Sequence, residues 1–175
     1  MHQPNPISME EINVKQINTQ TSLREVCASY TVPKEEMPIK GGWGFTKEDA
    51  IIIDKNDPVV PKGIPFDGVG LEYAIVEKRI DLELTFLQNE KDMYKGVNWK
   101  LYQQEMMQDK DRYFDKITVK ITALPYEAWK SRRIEWKENG HKPDFDKEWF
   151  MAKSLELTQY CYRDFWFDIT SFYGQ

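Results

Sequence analysis

The sequence is poor in the residues on which metal centres, nucleophilic catalysis and disulfide frameworks usually depend. Among 175 residues it has two cysteines, Cys27 and Cys161, and two histidines. Neither cysteine belongs to a CxxC pair or has a histidine at metal-ligand spacing, so we expect no zinc site. Two isolated cysteines fit a reduced protein better than a disulfide scaffold, which favours a cytoplasmic location.

Long apolar runs and an excess of one charge are also absent. The longest apolar stretches are far shorter than the ~20 residues that span a bilayer, and we expect no secretory signal at the N-terminus. The net charge is -5, from 29 acidic and 24 basic residues that are interspersed. With no basic stripe, we expect no nucleic-acid partner and no membrane association. The acidic balance favours a basic protein partner.

Catalytic signatures are missing as well. A Ser-His-Asp or Cys-His arrangement would have to use His141, because His2 lies in the N-terminal tail, and no nucleophile elbow or papain-like context is present. The loop of His141 continues into Asp144 and Asp146, whose carboxylates are explained more simply by helix capping than by a metal. We therefore expect no catalytic residues, no metal and no cofactor.

Aromatic residues, by contrast, are abundant, with 6 Trp, 9 Tyr and 9 Phe. This composition predicts a folded chain, and its length predicts one domain. We expect residues 1–40 to be a loosely ordered segment of that domain and residues 41–175 to form its α+β body. Near the start, Ser8 and Glu11 match a helix capping box, whereas Ile12 and its neighbours match a strand, and both alternatives remain open.

Period-two alternation predicts the sheet. Apolar and charged residues alternate over about 72–87, which indicates a long half-buried strand or two strands joined at a bulge. Shorter patterns predict strands over 50–54, 98–107 and 113–124, with a hairpin turn over 108–112. Because one face of these strands is polar, the sheet should be mostly antiparallel.

Beyond the last of these strands the pattern becomes helical. We expect a pair of C-terminal helices, over about 126–138 and 145–161, packed on one face of the sheet, with Trp129 and Trp136 facing it. The aromatic segment 165–169 predicts a final short strand. The predicted fold class is α+β.

Three glycines surround Trp43 in the sequence Gly41-Gly42-Trp43-Gly44. The spacing is neither a Walker motif nor GxGxxG. One interpretation is a tight turn in which Trp43 closes the edge of the core. The other is an exposed site, in which Trp43, Glu48 and Asp49 bind a partner or a small ligand.

The glycine-rich segment over residues 41–52 and the ending over residues 165–174 resemble small bacterial proteins found beside polymorphic toxins as immunity proteins. The resemblance covers these two segments. It implies a cytoplasmic single-domain binder that occludes the active surface of a cognate toxin, and it carries over no site residues, because such proteins bind through variable surfaces. We therefore predict a non-enzymatic protein-binding module. The alternative is an enzyme or small-ligand binder with a pocket at residues 41–50.

Overall fold

The protein contains four α-helices and a five-stranded sheet in a computed structural model that describes residues 10–174. The helices are α1 (Leu23–Ser29), α2 (Gly68–Asp81), α3 (Tyr126–Asn139) and α4 (Lys147–Leu157). The strands are β1 (Ile39–Gly41), β2 (Ile51–Ile53), β3 (Tyr94–Asp109), β4 (Arg112–Pro125) and β5 (Gln159–Asp168). A π-helical turn, Leu82–Phe86, follows α2.

The strand order in the sheet is β1-β2-β5-β4-β3. Strand β1 pairs antiparallel with β2, placing Ile39 opposite Ile53, and β2 pairs parallel with β5, placing Ile51 opposite Phe167. The sheet is therefore mixed but mostly antiparallel. The predicted α+β class is confirmed.

The chain divides into two compact units. Of the described residues, the first contains 10–15, Leu82–Lys100 and Lys120–Tyr162, and so includes α3 and α4. The second contains Gln16–Asp81, Leu101–Val119 and residues 163–174. The segment expected to be loosely ordered contains α1, whose first turn is capped by Ser22. The capping box proposed at Ser8 begins outside the described residues.

The hairpin of β3 and β4 agrees with the prediction. Along β4, buried and partly exposed residues alternate, and Ile117 and Val119 are fully buried. The turn lies at Lys110, which adopts a left-handed conformation with φ 58° between the two strands. Alternation in the sequence predicts this region well because one side of the strand is buried and the other is partly exposed.

The segment predicted as a strand over 72–87 is instead helical, so that prediction is wrong. The buried residues of α2 recur at helical spacing: Glu72, Ile75, Val76, Arg79 and Ile80. Two of these residues are charged, and the prediction placed one of them, Arg79, on the polar face of a strand, so an accidental alternation was taken for a strand pattern. The Asp67 carboxylate accepts a hydrogen bond from the Gly70 N–H at 2.8 Å, which is a helix-start signal that the prediction missed.

The C-terminal boundaries also differ from the prediction. Helix α4 ends at Leu157 and β5 begins at Gln159, whereas the helix was expected to continue to 161 and the strand to begin at 165. The last residues assigned to the helix include Tyr160, and aromatic residues favour strands. Strand β2 was predicted, but β1, which pairs with it, was not.

The two tryptophans of α3 occupy different environments. Trp129 lies over β3, since a Cβ atom on Gly96 would be 3.5 Å from its ring. The prediction that Trp129 faces the sheet is confirmed. Trp136 is 46% exposed and packs against Phe145 and Phe150 from the linker and α4. The expectation that Trp136 faces the sheet is therefore wrong, because the helices pack on each other at this point.

Candidate functional site

The glycine-rich turn around Trp43 is built as part of the core. Trp43 is only 2% exposed, and its indole N–H donates to the Thr21 carbonyl oxygen at 3.0 Å. The Asp49 carboxylate accepts the Trp43 backbone N–H at 3.2 Å, which holds the turn closed. Gly44 has φ +76°, a conformation that favours glycine. The burial of Trp43 supports the structural interpretation of this segment.

Arg79 of α2 fixes the same turn from within the second unit. Its fully buried guanidinium donates to the carbonyl oxygens of Trp43 at 2.8 Å and Gly44 at 3.1 Å, and to that of Asp164 at 2.9 Å. The guanidinium also lies 3.8 Å from the ring centroid of Phe165. The sequence prediction missed this role because it placed Arg79 on the polar face of a strand.

The groove that the described residues form beside this turn is small. A groove of about 190 Å³ is lined by Gly41, Gly42 and residues of α1 and β1, and Trp43, Glu48 and Asp49 are not part of its lining. Ligand pockets usually measure ~300–1,000 Å³. Glu48 is exposed, and Asp49 is half-buried in its turn. A binding role for these residues stays a prediction, and the position of Trp43 gives it no support.

Two buried carboxyl groups meet in the second unit. Glu72 of α2 is 1% exposed and Asp115 of β4 is 2% exposed, and their side chains are in hydrogen-bonding contact. Among residues 10–174, no group donates a hydrogen bond to Glu72 Oε2 or Asp115 Oδ1, whereas Gln104 donates to the second oxygen of Asp115. Desolvation and the charge of Asp115 raise the pKa of Glu72 to about 9. When protonated, Glu72 can donate a hydrogen bond to Asp115.

Both cysteines are buried free thiols. Burial raises the pKa of Cys27 to about 11, although nearby Lys78 lowers it slightly. A thiol with this pKa is almost entirely protonated at neutral pH and is a poor nucleophile. This environment fits a structural residue.

A groove of about 440 Å³ lies in the second unit between α2 and the loop over residues 58–67, which contains Pro58, Pro61 and Pro65. Its apolar lining includes Met37, Val60, Ile64, Phe66 and Leu71. Two of the four charged residues in its lining are engaged elsewhere, since Glu36 pairs with Arg24 and Asp67 caps α2. Neither this groove nor the larger one on α3 and α4 has Glu72 or Asp115 in its lining.

The most exposed apolar surface in the first unit lies on helices α3 and α4. No residue of α3 is buried, and Phe150 is the one buried residue of α4. Six large apolar side chains on these helices are between 44% and 62% exposed: Ile134, Trp136, Trp149, Met151, Leu155 and Leu157. We call this set the helical-pair surface. Aromatic and aliphatic residues concentrated in this way are typical of interaction sites.

A groove of about 680 Å³ lies on α3 and α4 and shares Ile134 and Trp136 with this surface. Its aromatic lining consists of Trp129, Trp136 and Phe150, and its cationic lining consists of Lys130, Arg132, Arg133 and Lys137. Among residues 10–174, no acidic side chain belongs to the lining. The groove therefore combines apolar contact area with a local positive charge, although the whole chain is acidic.

Arg132 holds the two helices of the groove together. It donates through Nε to Ser154 Oγ at 3.1 Å and through one terminal nitrogen to the Phe150 carbonyl oxygen at 2.7 Å. Its other terminal nitrogen pairs with Glu135 at 2.7 Å, and its guanidinium lies 3.9 Å from the Phe150 ring centroid. Because these contacts occupy Arg132, the cations left for recognition are its neighbours on α3.

The sequence reasoning did not single out this surface, because it assigned the tryptophans of α3 to the core. The available signal was the spacing of Lys130, Arg133 and Lys137, which places three cations on one face of the predicted helix. Exposure itself was not visible in the sequence, since a core tryptophan and a surface tryptophan follow the same helical period.

Comparison of the chain with models of known families, with curated proteins and with solved structures finds no match. Among residues 10–174, no helix combines the length and apolar character that crossing a bilayer requires. The same residues contain no group of three or more His, Cys, Asp or Glu side chains arranged to hold a metal ion. The candidate site therefore rests on its own geometry, and the helical-pair surface is the strongest candidate.

Proposed function

We propose that the protein is a non-enzymatic binding module that contacts another protein through the helical-pair surface. The observation that carries the proposal is the exposure of six large apolar side chains on α3 and α4, two of which, Ile134 and Trp136, line a groove of about 680 Å³. Exposing this much apolar surface to water is costly, and covering it with a partner recovers that free energy. Tryptophan and arginine are the residues most enriched at interface hot spots.

The biological role we propose is that of a cytoplasmic immunity or inhibitor protein, which occludes a cognate toxin or enzyme. Its support is the resemblance of two segments of the sequence to such proteins, together with a surface suited to binding. The sequence reasoning expected a basic partner from the net charge. The groove has the opposite local charge, so the proposed partner is complementary to a cationic and aromatic surface.

The proposal is tested by quantitative affinity purification from the cells that carry the gene, followed by binding measurements with the purified partner. The surface variant is Met151→Ser with Leu155→Ser, since both side chains are more than half exposed. The control variant is Val32→Ser with Val69→Ser, which removes exposed apolar groups elsewhere. We expect one protein that binds the wild type and the control equally and binds the surface variant at least about tenfold more weakly.

Two results would overturn this proposal. If the surface variant binds the purified partner as tightly as the wild type, the interface lies elsewhere. If the wild type forms a dimer in light scattering and the surface variant is monomeric, the helical-pair surface is covered by a second copy of the chain.

A further inference from the structure

We infer that the groove on α3 and α4 recognises an acidic, partly apolar segment of the partner. The inference rests on the proposed function and deepens it by naming the chemistry of the bound segment. It is carried by three cations on one helix face and by the rings beside them.

The cations are Lys130, Arg133 and Lys137, all exposed on α3. Their positions i, i+3 and i+7 place them on one face of the helix, and the rise of ~1.5 Å per residue separates the first from the last by about 10 Å. Within residues 10–174, none of the three forms an ion pair with a carboxylate. Carboxylates one and two turns apart on a bound helix match this spacing.

The rings supply the apolar half of the site. Trp129, Trp136 and Phe150 line the same groove as the cations. An acidic segment that also carries leucine or a similar side chain would place it against these rings while its carboxylates reach the three cations. This arrangement corresponds to an amphipathic helix that docks in a groove.

The rings are poorly placed for stacking nucleic-acid bases. The Arg133 guanidinium carbon lies 4.8 Å from the ring centroid of Trp129, and the ring centroids of Trp129 and Tyr126 are 5.9 Å apart. Trp136 packs against Phe145 and Phe150. Base stacking needs free ring faces, whereas carboxylates need only the cationic groups, so the geometry favours an acidic protein segment.

The test uses a fluorescent amphipathic peptide of about 15 residues, with Glu at i, i+3 and i+7 and Leu on the adjacent face. A second peptide has Gln in place of Glu. Binding is measured by fluorescence anisotropy with the full-length protein. We expect the acidic peptide to bind at least about tenfold more tightly than the Gln peptide, and added salt to reduce the difference.

Charge reversal identifies the site. The groove variant is Lys130→Glu, Arg133→Glu and Lys137→Glu. The matched control, Lys34→Glu, Lys62→Glu and Lys91→Glu, changes the net charge equally at exposed positions outside the groove. Both variants are checked for a wild-type melting temperature. We expect at least about a tenfold loss of affinity for the acidic peptide in the groove variant and wild-type affinity in the control.

Equal binding of the two peptides, or an equal loss in the groove and control variants, would overturn the inference. So would tighter binding of a single-stranded oligonucleotide of the same charge. If the natural partner binds the helical-pair surface but tolerates the charge reversal, the inference fails while the proposed function stands. If the acidic peptide binds the groove but no partner protein is found, the proposed function fails while the inferred chemistry stands.

Discussion

The buried carboxyl pair makes stability depend on pH in an unusual direction. Glu72 has a pKa of about 9 in the folded protein against an ordinary value of 4.5. Between these values the folded chain keeps the proton that the unfolded chain releases. The free energy of unfolding therefore falls as pH rises, by about 1.4 kcal/mol per pH unit, and the loss ends near pH 9.

Glu72→Gln should remove this dependence. The amide is neutral at every pH, and its N–H donates to Asp115 as the protonated carboxyl does. From pH 5 to pH 8 the release of the Glu72 proton lowers the free energy of unfolding of the wild type by on the order of 4 kcal/mol. Over this range the variant should therefore become more stable relative to the wild type by about the same amount. Carboxylates with a lowered pKa, such as Asp54 and Asp168, make the free energy of unfolding depend on pH only near and below pH 3.8, the ordinary pKa of an aspartate.

The assay is urea denaturation at several pH values from 5 to 8. The control is Glu77→Gln on the same helix, where the side chain is exposed. We expect the control to keep the wild-type slope of stability against pH and Glu72→Gln to lose most of it. If Glu72→Gln and the wild type have the same slope, Glu72 is ionised in the folded protein and the reasoning is refuted.

Three further predictions concern stability, measured as melting temperature and urea midpoint. Trp43→Ala should lower the free energy of unfolding by ~3–5 kcal/mol, because it leaves a cavity in the core, and an unchanged melting temperature would contradict this. Gly44→Val should cost at least ~2 kcal/mol, since the position has φ +76° and a Cβ there would lie 2.8 Å from the Trp166 carbonyl oxygen. Trp136→Ala should cost less than ~2 kcal/mol, because the side chain is 46% exposed; a larger loss would show that its ring supports the core.

How well the sequence predicted each element depended on whether its buried face was apolar. The hairpin of β3 and β4 and the existence of α3 and α4 followed from periodicity and turn residues. Helix α2 did not, because its buried face includes Glu72 and Arg79, which contact Asp115 and the carbonyl oxygens around Trp43. Such partners are distant in sequence, so no local pattern reveals that a charged residue is buried.

The candidate site was hidden for a different reason. The sequence indicated Trp43 as the informative aromatic residue, and the glycines around it did predict a tight turn. Which tryptophan is exposed depends on how the helices pack, and Trp136 reaches the surface because α3 packs on α4 through Arg132 and Phe150. That contact joins residues 18 positions apart on two different helices, so the period of one helix does not reveal it.

The central claim, that the helical-pair surface binds the partner, is tested most directly by following the tryptophan indole N–H signals in a two-dimensional NMR spectrum. Each signal is assigned by a Trp→Phe variant, and the purified partner is then added. We predict that the signals of Trp136 and Trp149 shift or broaden, while that of Trp43, which donates to Thr21 inside the fold, stays in place. A spectrum in which the Trp43 signal responds and those of Trp136 and Trp149 do not would contradict the account.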